Sequence, residues 1–240
     1  MSRLFEELDY CPTPIGTLSL RRRRDAKLGV DVFEIKLGDE FLMTSLFTAS
    51  EVALARLGLE ACEAQAPEVV VGGLGLGYTA QAVLERPGVA ELRVIEYLAP
   101  VIEWHEAGLL PMGTALADDP RCRLVEGDFF AMARGSEGFD AAHRGRRFDA
   151  ILADIDHAPD HLLDAHSDSF YQPEGLRALA RHLKPGGIFG LWSDKVTDQR
   201  FVDRLEAVYA TAWAAPVTFD NPLTGRPFTQ TVYLARTARA

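Results

Sequence analysis

Three short stretches of this chain gather residues whose types and spacing could do chemistry. The first is Gly73, Gly75 and Gly77, which alternate with leucines in VVVGGLGLG, followed by Glu96, 19 residues after Gly77. Glycines between a strand and a helix let the backbone bend where a Cβ would clash and pass close to a ligand. The helix N-terminus beside them favours anionic or electron-rich groups, and a carboxylate ending the next strand can accept both hydroxyls of a ribose. The second stretch is Gly127-Asp128, at the end of a later strand, where the carboxylate either faces a ligand or caps the following helix. The third is Asp154-Ile155-Asp156-His157, whose two carboxyls and imidazole can take a proton from a reacting partner. Together they predict a nucleoside- or nucleotide-binding site with an acid–base cluster beside it.

These residues need elements to hold them. Val69-Val70-Val71 is a β-branched run between Pro67 and Gly72, too short for a helix, and reads as a buried strand. Tyr78 to Glu85 continues at helical spacing, and Glu91 to Ile95 is the next strand, making a βαβ unit. A helix follows around Ala99 to Gly108, then strands at Cys122 to Val125 and Phe148 to Ala153, the latter ending on Asp154. Residues 135–147 are polar and Gly-rich, which predicts a loop, and a long acidic loop runs from Asp154 to Ser169. Gly175 to Leu183 reads as a helix stopped by Lys184-Pro185-Gly186-Gly187, a tight turn before strand Ile188 to Trp192. A last helix spans Gln199 to Ala210, and strands Val217 to Asp220 and Thr229 to Ala235 flank a turn at Asn221 to Arg226.

Ahead of all this, residues 14–45 alternate polar and apolar, a small antiparallel sheet serving as lid or appendage. Arg21 to Arg24 reads as a solvated basic run, since no aromatic interleaves it. Thr48 opens a helix, and Glu51 three residues on completes a capping-box pattern. The chain therefore divides into a β appendage at 1–47 and a Rossmann-like α/β domain at 48–240, a mixed sheet with helices on both faces.

Composition narrows the function. At 240 residues, with 48% hydrophobic and 25% charged residues, the chain suits one α/β domain with a small addition. A net charge of −10 argues against nucleic acid as a partner, because phosphate binding needs a basic face. It suits a small cationic substrate. No apolar run approaches the ~18 residues of a membrane span, and the first residues carry no signal-peptide pattern. Cys11, Cys62 and Cys122 are widely spaced with no CxxC, which reads as reduced thiols in a cytoplasmic protein.

The G-x-G-x-G spacing resembles motif I of the class I S-adenosylmethionine-dependent transferases rather than the dinucleotide fingerprint. A closer resemblance is to the spermidine synthase (polyamine aminopropyltransferase) family. GDEFLMTSLFTASE, VVVGGLGLG, VIE, DDPRCRLVEGD and ILADIDHAPD stand in that family's order, and SFYQPEGLRALARHLKPGGIF is similar to its next segment. The resemblance implies the class I transferase fold with a mixed seven-stranded sheet, and S-adenosylmethionine or its decarboxylated form as co-substrate. It implies that Gly73, Gly75, Gly77 and Glu96 hold the nucleoside, and that Asp128, with Gly127 beside it, meets the adenine amino group. Tyr97 and Trp104 are candidates to pack on the adenosyl moiety. Asp154 would touch both donor and acceptor, and a homodimer is the family's habit.

The resemblance breaks on the acceptor side. Ala49-Ser50-Glu51 stands where the family carries Tyr-His-Glu, and the glycine turn lacks the family's aspartate. In the catalytic loop the second aspartate falls on His157, with Asp156 one position early. The expected function is therefore alkylation of a small, amine acceptor, with Asp154, Asp156 or His157 removing the proton and the usual putrescine site incomplete. Efficient spermidine synthesis from putrescine is not expected. The alternatives are a methyltransferase or a non-catalytic relative. A metal-assisted version would draw on His157, Asp160, His161, Asp164 and His166, but Pro159 interrupts that run and the expectation is no metal.

Overall fold

Four antiparallel strands open the computed structural model, which describes residues 4–163 and 165–239. They are β1 (Phe5–Thr13), β2 (Gly16–Asp25), β3 (Val30–Leu37) and β4 (Glu40–Thr44), side by side in that order. The alternation buries Leu18, Leu20, Val32 and Ile35 on one face. The arginine run is not simply solvated. Arg22 meets Glu6 at 2.6 Å, Arg23 meets Glu34 at 2.7 Å and Asp25 at 3.1 Å, and Arg24 meets Asp31 at 3.1 Å. Cross-strand pairing gives each of these guanidinium groups a carboxylate opposite or diagonal to it.

The rest alternates α and β: α1 (Ala49–Ala61), β5 (Glu68–Gly72), α2 (Tyr78–Leu84), β6 (Glu91–Glu96), α3 (Ala99–Glu106), α4 (Ala115–Asp118), β7 (Cys122–Glu126), α5 (Phe129–Arg134), β8 (Phe148–Ala153), α6 (Pro173–Ala180), β9 (Leu183–Ser193), α7 (Gln199–Glu206), β10 (Thr211–Asn221) and β11 (Arg226–Arg236). Seven strands form one sheet in the order β10-β11-β9-β8-β5-β6-β7, with β5 to β9 parallel and the final hairpin antiparallel. Val69, Val70 and Val71 are fully buried, as a strand covered on both faces requires. One face packs on α1, α2 and α3 through Leu54, Val83, Val101 and Trp104, and Leu18, Leu20 and Ile35 of the first sheet join that core. The other face packs on α5, α6 and α7 through Phe129, Leu176, Leu179, Phe201 and Leu205.

Two local expectations change in the structure, and the loop expected at 135–147 is present. Lys184-Pro185-Gly186-Gly187 is not a separate turn. β9 begins at Leu183 and passes through it as an irregularity, where the register slips between Phe148↔Leu183 and Ala150↔Ile188 and Gly186 takes a φ of +74°. The acidic loop ends in a 3-10 turn at Ala165–Tyr171. Residues 135–147 are pinned at the N-terminal end of the sheet. Asp140 is buried and meets Arg146 at 2.8 Å and Arg93 at 3.0 Å. Arg146 also reaches Glu68 at 2.5 Å and Glu91 at 2.7 Å, and Lys184 bridges Glu68 and Asp149 at 2.8 Å each.

Among the described residues no helix is long and apolar enough to cross a membrane. All three cysteines are free thiols, two of them buried.

Candidate functional site

A cleft opens where β5, β6, β7 and β8 end, the place at which open parallel sheets receive ligands. Its wall nearest β5 is the glycine loop. Gly73 has a φ of +90° and donates its N–H to Ile95 O at 2.9 Å; a Cβ there would lie 2.0 Å from the Asp154 carbonyl oxygen. Only glycine permits that approach. Gly75 also lines the cleft, but Gly77 does not. A Cβ on Gly77 would come within 2.7 Å of His105 and Leu116, so its small size serves the packing of α2 against α3 and α4.

Glu96 closes β6 almost fully buried. Its Oε2 accepts from Leu74 N–H at 2.9 Å and its Oε1 from Leu98 N–H at 2.8 Å. Burial raises its pKa while those N–H groups pull the other way. A carboxylate at this strand end is placed to accept the two hydroxyls of a ribose. Tyr97 lines the cleft with its ring half exposed. Trp104 does not reach it: the indole is 2% exposed and donates Nε1–H to Asp9 at 2.6 Å, fastening α3 to β1. Gly127 and Asp128 both line the cleft. Asp128 is also the N-cap of α5, accepting Ala131 N–H at 2.9 Å through one oxygen.

Asp154 lines the cleft at the end of β8 and accepts the Thr79 hydroxyl at 2.5 Å. Burial raises its pKa. Its neighbour is Glu51, also lining the cleft and 6% exposed. Burial first, and the Asp154 charge second, push the Glu51 carboxyl well up. The capping box therefore does not form: Thr48 makes no side-chain cap bond, and Glu51 turns inward toward Ser50. No ion pair joins either carboxyl to a cation among the described residues. Arg134, the arginine of the lining, is engaged with Ser169 Oγ at 3.3 Å and His166 O at 3.5 Å.

The other two acid–base candidates are occupied elsewhere. Asp156 borders the cleft, but its Oδ1 accepts Leu163 N–H at 2.8 Å and its Oδ2 accepts Tyr171 Oη–H at 2.7 Å and Ser167 Oγ–H at 3.1 Å. It anchors the loop. His157 is not among the lining residues; it stands 3.4 Å from Glu40 and 4.0 Å from Asp194, with the His161 ring 5.0 Å away, linking the loop to the β3–β4 turn. Among the described residues no group of three or more His, Cys, Asp or Glu is placed to hold a metal. Asp160 is held by Lys195 at 2.8 Å, and Asp164 lies outside the described residues.

Two contributors carry no sequence signal. His105 is fully buried, and burial lowers its pKa, so a neutral imidazole donates Nε2–H to the Gly75 carbonyl at 2.9 Å and holds the glycine loop. The roof comes from the first sheet: Ile15, Ile35, Leu42 and Met43 line the cleft, and Met43 Sδ accepts Leu76 N–H at 3.2 Å.

No family model matches the chain. Over 123 residues, 51% of the chain, it is 30% identical to the polyamine aminopropyltransferases of Mycobacterium tuberculosis (strains CDC 1551 / Oshkosh and ATCC 25618 / H37Rv) and Mycobacterium bovis. That match spans only 22% of those proteins' length. Among solved structures, the spermidine synthase of Thermotoga maritima superposes with a TM-score of 0.71 at 17% identity, covering 98% of this chain and 73% of that one. A spermidine synthase in complex with the transition-state analogue AdoDATO gives a TM-score of 0.73 at 18% identity, covering 98% and 74%.

Proposed function

We propose that this spermidine synthase-like chain, which has the class I S-adenosylmethionine-dependent transferase fold, binds an adenosyl sulfonium donor in the cleft and alkylates a small amine. The observation that carries the reading is the pair Asp154 and Glu51, set beside Gly73 with no cation salt-bridged to either. A ligand tail that ends in an ammonium group suits that end. A tail ending in a carboxylate would face like charge there, which favours the decarboxylated donor over S-adenosylmethionine itself.

In this reading Glu96 takes the ribose hydroxyls, the Gly127-Asp128 corner meets the adenine, and Tyr97 covers the nucleoside. The acceptor nitrogen attacks the carbon bonded to sulfur, the C–S bond breaks with its electron pair passing to sulfur, and a neutral thioether leaves. The amine must shed a proton to expose its lone pair, and Asp154 is placed to take it. Orientation and water exclusion complete the protein's part. Ala49 and Ser50 lack the family's aromatic and imidazole groups, and Asp156 and His157 are already engaged. The acceptor is therefore an amine other than putrescine.

Calorimetric titration with methylthioadenosine, decarboxylated S-adenosylmethionine and S-adenosylmethionine tests the donor site. The first two are expected to bind and the third to bind more weakly; binding of none would refute the reading. With putrescine and the decarboxylated donor, turnover should stay well below about 1 per second, an ordinary enzyme rate. Spermidine produced faster than that would show that the substitutions around Ser50 do not matter.

A further inference from the structure

The side chains around Ser50 compete for one hydroxyl hydrogen. Ser50, at the start of α1, is fully buried. Its Oγ lies 2.8 Å from Trp192 Nε1, 2.7 Å from Glu51 Oε2 and 2.5 Å from Gln230 Oε1. Glu51 and Gln230 are 6% and 7% exposed, so these four side chains are mostly one another's partners. The indole can only donate, and a serine hydroxyl has one hydrogen and two lone pairs. With Glu51 ionised, two acceptor oxygens would compete for that hydrogen, and one would face a bare lone pair. Reversing the Gln230 amide would put an N–H donor at 2.5 Å, shorter than the usual ~2.7–3.2 Å of N–H···O bonds, whereas O–H···O bonds reach it. With the Gln230 oxygen toward Ser50, one arrangement satisfies all four side chains among themselves: Trp192 donates to Ser50, Ser50 donates to Gln230, and a proton on Glu51 is donated to Ser50.

We propose that Ser50, Gln230 and Trp192 are positioning residues that hold a proton on Glu51, so that the acidic end offers one charged carboxylate, Asp154, to one ammonium group. A second ammonium enters only by displacing the Glu51 proton. The assignment of amine ligands rests on the function proposed above; the proton assignment does not. The charged or titratable groups facing Glu51 are Asp154 at the end of β8 and Tyr78 on α2, while β9 and β11 present the neutral Trp192 and Gln230. Burial and the Asp154 charge both favour the protonated form as well.

Titrating the Glu51 side-chain carboxyl by 13C NMR in the unliganded protein reads the proton directly. The midpoint is expected well above the ordinary carboxylate range. In Gln230→Met the Ser50 hydrogen is free to turn to Glu51, and the midpoint should fall by a unit or more; a mere packing change would leave it in place. A wild-type midpoint near the ordinary value of about 4.3, or one unmoved in folded Gln230→Met, overturns the proposal. The wild-type titration decides it alone if the variant does not fold. A second arm uses the methylthioadenosine complex in buffers of different ionisation enthalpy. Putrescine binding should release about one proton and n-butylamine none; putrescine binding without release also overturns the proposal. Failure of methylthioadenosine to bind would instead remove the adenosyl reading, and the NMR titration would still judge the proton.

Discussion

The two ends of the seven-stranded sheet hold their carboxyls in opposite electrostatic states. At the N-terminal end Asp140, Glu68, Glu91 and Asp149 are threaded by Arg93, Arg146 and Lys184. Burial alone would raise Asp140, but Arg146, His143 and Arg93 outweigh it and hold the carboxyl down at about 2. At the C-terminal end Glu51, Glu96 and Asp154 are buried with backbone N–H groups or hydroxyls for partners, and burial raises all three. Charge neutralised within the protein serves stability. Charge left without a counter-ion is a folding cost, and it is tolerated where a ligand can supply the missing cation or hydroxyls.

Removing a cation at the paired end should have the largest effect. Arg146→Met leaves Asp140 with Arg93 and the exposed His143 and strips one partner from the partly exposed Glu68 and Glu91. The expected loss is about 3 kcal/mol, or roughly 6–12 °C in Tm, by urea and thermal unfolding, with methylthioadenosine affinity unchanged. Because Asp140 is depressed, its contribution is present above the ordinary carboxylate pKa and disappears as pH falls toward 2. The variant's deficit should therefore shrink below pH 4. A deficit constant with pH would mean that the ion pairs are not its source.

At the cleft end the balance reverses. Glu96→Ala should weaken methylthioadenosine binding at least ~100-fold in calorimetry, about 3 kcal/mol, since the proposed ribose partner and the Leu74 and Leu98 N–H acceptor go together. Glu51→Gln should stabilise. An acid whose folded pKa is raised favours folding most below its unfolded pKa, and that advantage is lost as pH rises through the folded value, here about 8. Glutamine carries no such loss. The variant should match wild type near pH 4 and exceed it at pH 9 by on the order of 2 kcal/mol, read as Tm against pH. Equal curves at both pH values would contradict a buried, proton-holding Glu51. The smallest effect separates cap from ligand at Asp128. Asn caps nearly as well, so Asp128→Asn should change stability by less than about 0.5 kcal/mol. It should lower affinity for the adenosyl ligand while leaving the helix intact.

Sequence patterns revealed the strands and the glycine loop, because β-branched runs and positive-φ glycines are local properties. They placed Glu96, Asp128 and Asp154 at the mouth of one cleft because each sits at a strand end in a fixed order. Glu51 was misleading, since T-x-x-E matches a capping box whether or not the carboxylate turns back. Asp156 looked like an acid beside the reaction centre because its partners, Ser167 and Tyr171, are 11 and 15 residues away. Gln230 and His105 gave no signal at all. One acts through a hydroxyl 180 residues distant and the other through a backbone carbonyl.

The cleft draws its walls from Ile15 on β2's approach to Trp192 on β9, so nearly the whole chain must be in place before a ligand finds its contacts. Met43 Sδ on Leu76 N–H is the seam between the first sheet and the glycine loop. A partly folded chain lacking either side has no binding surface, so ligand binding free energy is coupled entirely to global folding. A ligand at 100 times its Kd would then add about 2.7 kcal/mol to the unfolding free energy, and the gain would appear in the exchange of the fully buried Val69 to Val71 as fully as in the loops.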